Sequence, residues 1–289
     1  FAPFKLVKAV YEALKAIKQL KPDVVLGMGG FASGPGGLAA WLLRTPVVIH
    51  EQNAIPGLTN RLLAKLAKQV LEGFTQSFDT TQGAVWVGNP VRASIEAIAS
   101  PDSRFANRAG PIRLLVLGGS LGAKALNNVV PKAMTLIKDQ DAFEIRHQSG
   151  ERHLSDCLQN YQGATVQADV TAFIDDMTSA YAWADLVICR SGALTIAELA
   201  ASGVGALLVP YPYAVDDHQT HNALALKTSG AALLIPEDIL TADVLAKQLS
   251  EFIDNREQLL QMANAARSQS KLGTAKVVAD ICLKEVKDA

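Results

Sequence analysis

The 289-residue sequence is poor in the residues that build a disulfide scaffold, a zinc module or a membrane span. Its three cysteines, Cys157, Cys189 and Cys282, are an odd number, far apart in the chain and each in an apolar context. They exclude a disulfide framework and are expected as buried thiols in a reducing compartment. No CxxC or HxxxH pair occurs, so no structural zinc site and no metal are expected. No apolar run reaches the roughly 18–20 uncharged residues that span a bilayer; Gly34–Leu43 is apolar, but Arg44 ends it. There is no signal peptide. The chain opens at Phe1 without a methionine, and its first recognisable element is already a helix, so the start reads as a truncation.

What is present is an ordinary cored protein, 49% hydrophobic and 19% charged, with no sign of disorder. The length favours two domains. The net charge of −1 is divided unevenly: residues 1–92 carry ten Lys and Arg against five Asp and Glu, a balance of +5 that leaves −6 for the rest. Either one domain faces something anionic, a phosphate-bearing ligand or an acidic membrane surface, or the asymmetry is surface composition alone.

Strand-like and helical runs alternate through most of the chain. Strands are predicted at Val24–Leu26, Val47–Ile49, Val85–Val87, Leu114–Leu117, Phe143–His147, Leu186–Cys189 and Leu207–Val209. Helical patterns fall at Thr59–Lys68, Ala123–Ile137, Leu194–Ser202 and Thr220–Thr228. The strand runs are continuously apolar, as in a parallel sheet covered on both faces, and the order implies stacked βαβ units. A polar stretch from Ser100 to Pro111 reads as a linker, after which a fresh strand–Gly–helix unit begins at Ile112. The expected division is residues 1–92 and 93–273. A last helix, 274–289, is expected to be capped by Thr274 and to carry Val277, Val278, Ile281 and Cys282 on one side, a face that could pack on the first domain.

Glycine-rich segments follow two of the strands: Gly27–Gly37, and Gly118-Gly-Ser-Leu-Gly-Ala123 at the start of a helix. Each is either a ligand loop, where backbone N–H groups meet an anion, or simple tight packing. Neither matches a P-loop, and no acid is placed for a dinucleotide ribose. A stronger signal is Cys189-Arg-Ser-Gly-Ala-Leu-Thr-Ile-Ala-Glu198, which runs from a strand end through a small-residue turn into a helix. Arg190, Ser191 and Gly192 would cluster where a diphosphate could sit. Glu198 either accepts from vicinal hydroxyls or is a solvated helix acid. Pro210-Tyr-Pro-Tyr213 and Asp216-Asp-His-Gln-Thr-His-Asn222 follow, the latter opening another helix. Polar residues at the C-terminal edge of a parallel sheet mark the usual ligand crevice. His50-Glu-Gln-Asn53 and Gly88-Asn-Pro-Val-Arg92 close two further strands. His50 and Glu51 are either a buried hydrogen-bonded pair or site residues, and Arg92 is placed to reach a phosphate. The helix Phe4–Leu20 sets Val7, Val10, Leu14 and Ile17 on one face and Lys5, Lys8, Glu12 and Lys15 on another, with Lys18 and Lys21 nearby. It lies on an anionic membrane or is an ordinary surface helix.

These motifs, in this order, resemble the MurG family of N-acetylglucosaminyltransferases, which convert undecaprenyl-pyrophosphoryl-muramyl-pentapeptide (lipid I) to lipid II in peptidoglycan synthesis. The resemblance covers essentially the whole chain. It rests on Lys21-Pro-Asp-Val-Val-Leu-Gly-Met-Gly-Gly30, His50-Glu-Gln-Asn53, Gly88-Asn-Pro-Val-Arg92, Gly118–Ala123, Phe173-Ile-Asp-Asp-Met177 and Arg190-Ser-Gly-Ala-Leu-Thr195 through Glu198.

The resemblance implies an α/β chain of GT-B fold, with two Rossmann-like doubly wound parallel-sheet domains and the sugar nucleotide held mainly by the second. Its substrates would be UDP-N-acetylglucosamine and lipid I, with no cofactor and no nucleic acid. It implies a peripheral place at the cytoplasmic face of the bacterial inner membrane, an anionic surface, among other proteins of cell-wall synthesis. The Ile174 backbone would read uracil, and Glu198 would hold the ribose. Ser120, Ala193, Leu194, Thr195 and Arg92 would serve the diphosphate, with Arg190, Ser191, Gly192 and His218 around the same donor. Gln219 would take the N-acetylglucosamine hydroxyls, and Asn53 would add a further donor contact. His50, Glu51, Gly29 and Gly30 would lie on the acceptor side. Phe4, Leu6, Val7 and Trp41 would form the membrane patch, with Val10 smaller than an aromatic anchor. The family opens with a strand and a Gly-Gly-Thr-Gly-Gly-His type loop that carries the favoured general base. No such loop precedes Phe1, so the first domain is expected to be truncated, donor to bind and turnover to be poor. The rival readings are a GT-B transferase to another lipid acceptor such as diacylglycerol, a UDP-sugar epimerase, and a non-catalytic UDP-sugar-binding subunit.

Overall fold

The computed structural model describes residues 2–119, 122–164 and 166–287. The chain forms two compact units, Phe1–Pro90 with Lys271–Ala289, and Val91–Ser270.

The first unit runs α1 (Ala2–Leu20), β1 (Val25–Gly27), α2 (Gly30–Leu42), β2 (Val47–Glu51), α3 (Leu58–Leu63), β3 (Gln69–Glu72) and β4 (Val85–Trp86), and is completed by the C-terminal helix Thr274–Lys287. Its strands are all parallel, in the order β1-β2-β3-β4. Helices cover both faces, which is why successive strand residues are apolar. Val47 and Ile49 pack with Ala40, Leu63, Phe78 and Ile17. Val48 points the other way, to Leu71, Val87 and Val278. The stripe of α1 that is half-buried is Ala9, Val10, Ala13, Leu14 and Ile17; Val7, expected on that face, is exposed.

Two local expectations change. Only Met28 and Gly29 are loop, because Gly27 ends β1 and the glycine run is helical from Gly30 onward. Small residues there let neighbouring elements approach: a Cβ on Gly37 would stand 2.7 Å from the Leu63 side chain. Thr274 is the first residue of its helix rather than the cap. The Gly273 carbonyl takes the first helical N–H groups, and the buried Thr274 hydroxyl donates back to the Val87 carbonyl at 2.8 Å. In that helix Val278, Ile281 and Cys282 face inward, whereas Val277 is exposed.

The second unit runs α4 (Ala93–Glu96), α5 (Pro101–Phe105), β5 (Ile112–Leu117), α6 (Lys124–Leu136), β6 (Phe143–Gln148), α7 (Leu154–Ala164), β7 (Asp169–Thr171), α8 (Met177–Trp183), β8 (Leu186–Cys189), α9 (Ala193–Ser202), β9 (Gly205–Leu208), α10 (His218–Thr228), β10 (Ala232–Leu234), α11 (Ala242–Asp254) and α12 (Glu257–Ser268). Its six strands are parallel, in the order β10-β9-β8-β5-β6-β7. The chain winds outward from β5 through β6 to β7, then returns to lay β8, β9 and β10 on the other side. The topological switch point therefore lies between β5 and β8, where Leu117 is in register with Cys189.

On one face of this sheet Ile112, Leu114 and Val116 of β5 lie in a core with Leu126, Val130, Ala133 and Met134 of α6. Pro131 sits inside α6 and cannot donate to the Asn127 carbonyl one turn back. The Asn160 side-chain amide of α7 makes that bond instead, at 3.1 Å. The polar stretch expected as a linker is built into this unit. Ser100 caps α5, and the Arg104 guanidinium donates to the carbonyls of Tyr181, Ala184, Ser202 and Gly203, closing the C-terminal ends of α8 and α9. Burial pushes the Arg104 pKa down to about 10. Arg108 pairs with the buried Asp185 at 2.6 Å.

Candidate functional site

At the switch point of the second unit two turns stand side by side. After β5, Gly118 lies so close to its neighbours that a Cβ would meet the Ala123 nitrogen at 2.8 Å and the Gln148 carbonyl at 2.9 Å. Gly122 holds a φ of 77°, and a Cβ there would strike the Ser149 carbonyl. This loop has to be glycine for reasons of packing, whatever it also binds. Ser120 lies outside the described residues. The loop is backed by a buried network. His147 bonds Asn127 Oδ1 through Nε2 at 2.9 Å and the Tyr161 hydroxyl through Nδ1 at 2.9 Å, and Asn127 donates to the Ser149 carbonyl.

After β8, Gly192 precedes α9 in extended conformation with no side-chain cap. The first N–H groups of a helix have no partner within it, and their partial positive charge favours an anion. Those of Ala193, Leu194 and Thr195 form that end. The second turn is rigid: Ser191 Oγ donates to the Gln219 carbonyl at 2.8 Å, and Asn222 donates to the Ser191 carbonyl at 3.2 Å. Gln219 and His218 open α10, and Gln219 Oε1 accepts the Tyr211 N–H at 2.9 Å, holding the Pro210–Tyr213 loop.

Arg190 is committed elsewhere than expected. Its guanidinium donates to the carbonyls of Val209 and Pro210, pairs with Glu237 and lies under the Tyr211 ring, 5.4 Å from its centroid. It fastens the loop beside the crevice, and the open positive end is left to α9. Glu198, half-buried on α9, accepts the Tyr181 hydroxyl on Oε2 at 3.1 Å. Burial raises its pKa, opposed by that hydrogen bond and by the charge of Arg92, an exposed residue that precedes α4. Ile174, in the segment after β7, donates its N–H to Oε1 of the buried Gln148 at 3.2 Å.

In the first unit the C-terminal ends of β1 and β2 meet. Gln52 donates to the Met28 carbonyl at 2.7 Å, beside Gly29 and Gly30, which hold φ of 78° and 74°. His50 and Glu51 do not form the hydrogen-bonded pair that was one of the two expectations. His50 is fully buried and bonds the Gly88 carbonyl at 2.8 Å, and burial lowers its pKa. Glu51 is also buried and accepts from the Asn53 N–H and side-chain amide, the Gly57 N–H and the Asn60 amide. Its carboxylate is thus the organising centre of the 52–60 loop, and Asn53 is oriented by it. Glu72, in register with Glu51 on β3, does the same for the next loop, through the N–H groups of Gln76 and Phe78.

Three residues that sequence reasoning passed over are part of these arrangements. Gln148 carried the same signal as His50–Asn53, polar residues at a strand end. Gln52 lies inside that motif. Tyr181 carried no signal, since an aromatic on a helix face reads as core. Of the proposed membrane residues, Phe4, Val7 and Leu6 are exposed on α1 and Trp41 on α2. Among the described residues no three of His, Cys, Asp and Glu are grouped to hold a metal ion, and no helix is long and apolar enough to cross a membrane.

Known proteins share this architecture and sequence. The chain is 49% identical over 282 residues to the UDP-N-acetylglucosamine--N-acetylmuramyl-(pentapeptide) pyrophosphoryl-undecaprenol N-acetylglucosamine transferase of Marinobacter nauticus, an alignment covering 98% of this chain and 78% of that protein. It is 52% identical over 282 residues to the protein of the same description from Dechloromonas aromatica, covering 97% and 78%. The crystal structure of Acinetobacter baumannii MurG superposes with a TM-score of 0.85 at 41% identity, covering 98% of this chain and 80% of that one. The UDP-GlcNAc 2-epimerase of Neisseria meningitidis, bound to UDP-GlcNAc, superposes with a TM-score of 0.67 at 14% identity over 96% and 81%, a likeness of fold alone. The fold is GT-B, with two all-parallel α/β domains. The description of the glycosyltransferase family 28 C-terminal domain matches residues 113–278, and that of its N-terminal domain matches residues 1–72. This chain belongs to glycosyltransferase family 28.

Proposed function

We propose that the chain transfers N-acetylglucosamine from UDP-N-acetylglucosamine to the muramyl C4 hydroxyl of lipid I, giving lipid II, with inversion at the anomeric carbon. The identities of 49% and 52% to transferases so described support the reaction, and an unrelated acceptor or an epimerisation has no comparable support. The donor is assigned to the second unit. The observation that carries this is Glu198: a half-buried carboxylate on the same helix whose N-terminal N–H groups open at the switch point. In this reading Glu198 accepts the ribose hydroxyls and the N–H groups of Ala193, Leu194 and Thr195 meet the diphosphate. Arg92 adds positive charge as UDP departs. Ser191, Gly192 and Arg190 hold the turn that shapes this subsite. Ser120 serves the diphosphate, Ile174 faces uracil, and Gln219 and His218 lie toward the sugar.

The acceptor side is assigned to the first unit. There Gly29, Gly30 and the loop anchored by His50 and Glu51, on which Asn53 lies, form the surface. The chain works peripherally at the cytoplasmic face of the inner membrane, with Phe4, Leu6, Val7 and Trp41 entering the interface and the lysines of α1 meeting anionic lipid.

The decisive experiment supplies UDP-N-acetylglucosamine labelled in the sugar together with lipid I. Label moving into the lipid fraction, with release of UDP, supports the reading. Hydrolysis or epimerised sugar without labelled lipid overturns it.

A further inference from the structure

The Tyr181 hydroxyl is sealed in the core: the residue is 1% exposed, and its hydrogen bond goes to Glu198. A buried phenol has to find a partner, and a charged acceptor gives the stronger bond. The two residues come from different helices, α8 and α9, so the bond sets one helix's functional group by the other's rigid side chain. A carboxylate at the end of a glutamate otherwise turns through a broad, two-fold torsion. Here Oε2 is taken, and Oε1 is the oxygen left for another donor.

We propose that Tyr181 is a positioning residue for the donor's ribose, holding Oε2 of Glu198 so that Oε1 meets the vicinal diol in one orientation. The assignment rests on the reading of Glu198 as the ribose residue and deepens it. The charged and titratable groups facing Glu198 are Tyr181, from α8, and Arg92, from the start of α4; behind Tyr181 lies the buried thiol of Cys189. Of the two groups that favour the ionised carboxylate, Tyr181 is the nearer, since only it is hydrogen-bonded.

The test is Tyr181→Phe, which keeps the ring and removes only the oxygen. Calorimetry compares UDP with 2′,3′-dideoxy-UDP, which lacks the diol, while thermal unfolding confirms that the variant is folded. The expected result is a loss of about five- to tenfold in UDP affinity, the usual weight of one ordinary hydrogen bond, with dideoxy-UDP unchanged. The pH below which UDP binding fails should also rise, because burial of Glu198 is then less opposed. In a Glu198→Gln background the further change Tyr181→Phe should leave the UDP to dideoxy-UDP ratio where it was. Equal losses for both ligands, or an unaltered ratio in a wild type that does bind UDP, overturn the assignment. A wild type that binds no UDP removes the donor reading itself, and this with it.

Discussion

Ile174 gives its backbone N–H to the side-chain oxygen of Gln148, at 3.2 Å, and the main-chain carbonyl of the same glutamine accepts the N–H of Gly118 at 2.9 Å. One buried residue at the end of β6 therefore fixes the segment assigned to the base and the glycine loop assigned to the diphosphate in a common frame. Gln148→Met, similar in shape but without the acceptor, should release the 172–176 segment. The expected outcome is a preference for UDP over CDP narrowed by about fivefold, near 1 kcal/mol. Competition binding with the two nucleotides measures it, and an undiminished preference would show that the frame is set elsewhere.

Arg190 and Glu237 form a second such tie. The pair is partly buried, at 17% and 25% side-chain exposure, and Arg190 also donates to two carbonyls and underlies Tyr211. Because solvent reaches it, its removal should cost less than the 3–5 kcal/mol of a fully buried pair. Arg190→Ala is expected to destabilise the fold by about 2 kcal/mol and to raise KM for UDP-N-acetylglucosamine as the 210–213 loop loosens. Arg190→Lys should recover little, since one ammonium cannot reproduce the planar fork. Denaturant melts and steady-state kinetics read both effects; a kcat loss with unchanged KM and stability would mean that the guanidinium acts on the reacting groups.

How far the sequence speaks is clear from these residues. The strands buried on both faces announce themselves as continuous apolar runs, as at Val47–Ile49 and Leu114–Leu117. By contrast β3 and β7 do not, since they set polar residues beside one or two apolar ones; β10, Ala-Leu-Leu, is apolar throughout but only three residues long. The Ser100–Pro111 stretch looks like a solvated connector because its arginines are charged. What they cap, the carbonyls at the ends of α8 and α9, lies some eighty to a hundred residues on and has no local trace. Glu51 is similar. Its place at a strand end marks it as unusual, but whether the carboxylate faces a substrate or gathers loop N–H groups depends on how 52–60 folds back. Tyr181 is the extreme case, being defined only by its contact with another helix.

His147 makes acid stability a sharp test of the second unit. Burial depresses its pKa to about 3, against about 6.5 for the exposed side chain. Between those values the unfolded chain binds a proton that the folded chain refuses, so stability is full above pH 6.5 and is lost as pH falls. The expected loss is about 2 kcal/mol between pH 7 and pH 5, and His50, whose pKa is also lowered, adds in the same direction. His147→Gln should flatten the dependence in that window while lowering stability at pH 7, because Tyr161 and Asn127 lose a fitted partner. Equilibrium unfolding at a series of pH values would expose the error if the wild type and variant curves stayed parallel.

Glu51 separates a structural carboxylate from a catalytic one. It collects hydrogen bonds from Asn53, Gly57 and Asn60, all donors, so a replacement must accept and not donate. Glu51→Gln keeps one oxygen but sets an amide NH2 against an N–H group, and Glu51→Ala removes the acceptor that Asn53, Gly57 and Asn60 share. Since the Asn60 amide is the buried donor among them and Asn53 and Gly57 are reached by solvent, the alanine variant should lose about 1–3 kcal/mol, the cost of one buried acceptor removed, and the glutamine variant roughly half as much. Activity should fall in proportion to the folded fraction, with kcat per folded molecule little changed in Glu51→Gln. Were Glu51 the proton acceptor, the glutamine variant would instead keep its melting temperature and lose turnover by orders of magnitude. Parallel measurement of unfolding and kcat on that one variant decides between them, and the geometry of the loop favours the first.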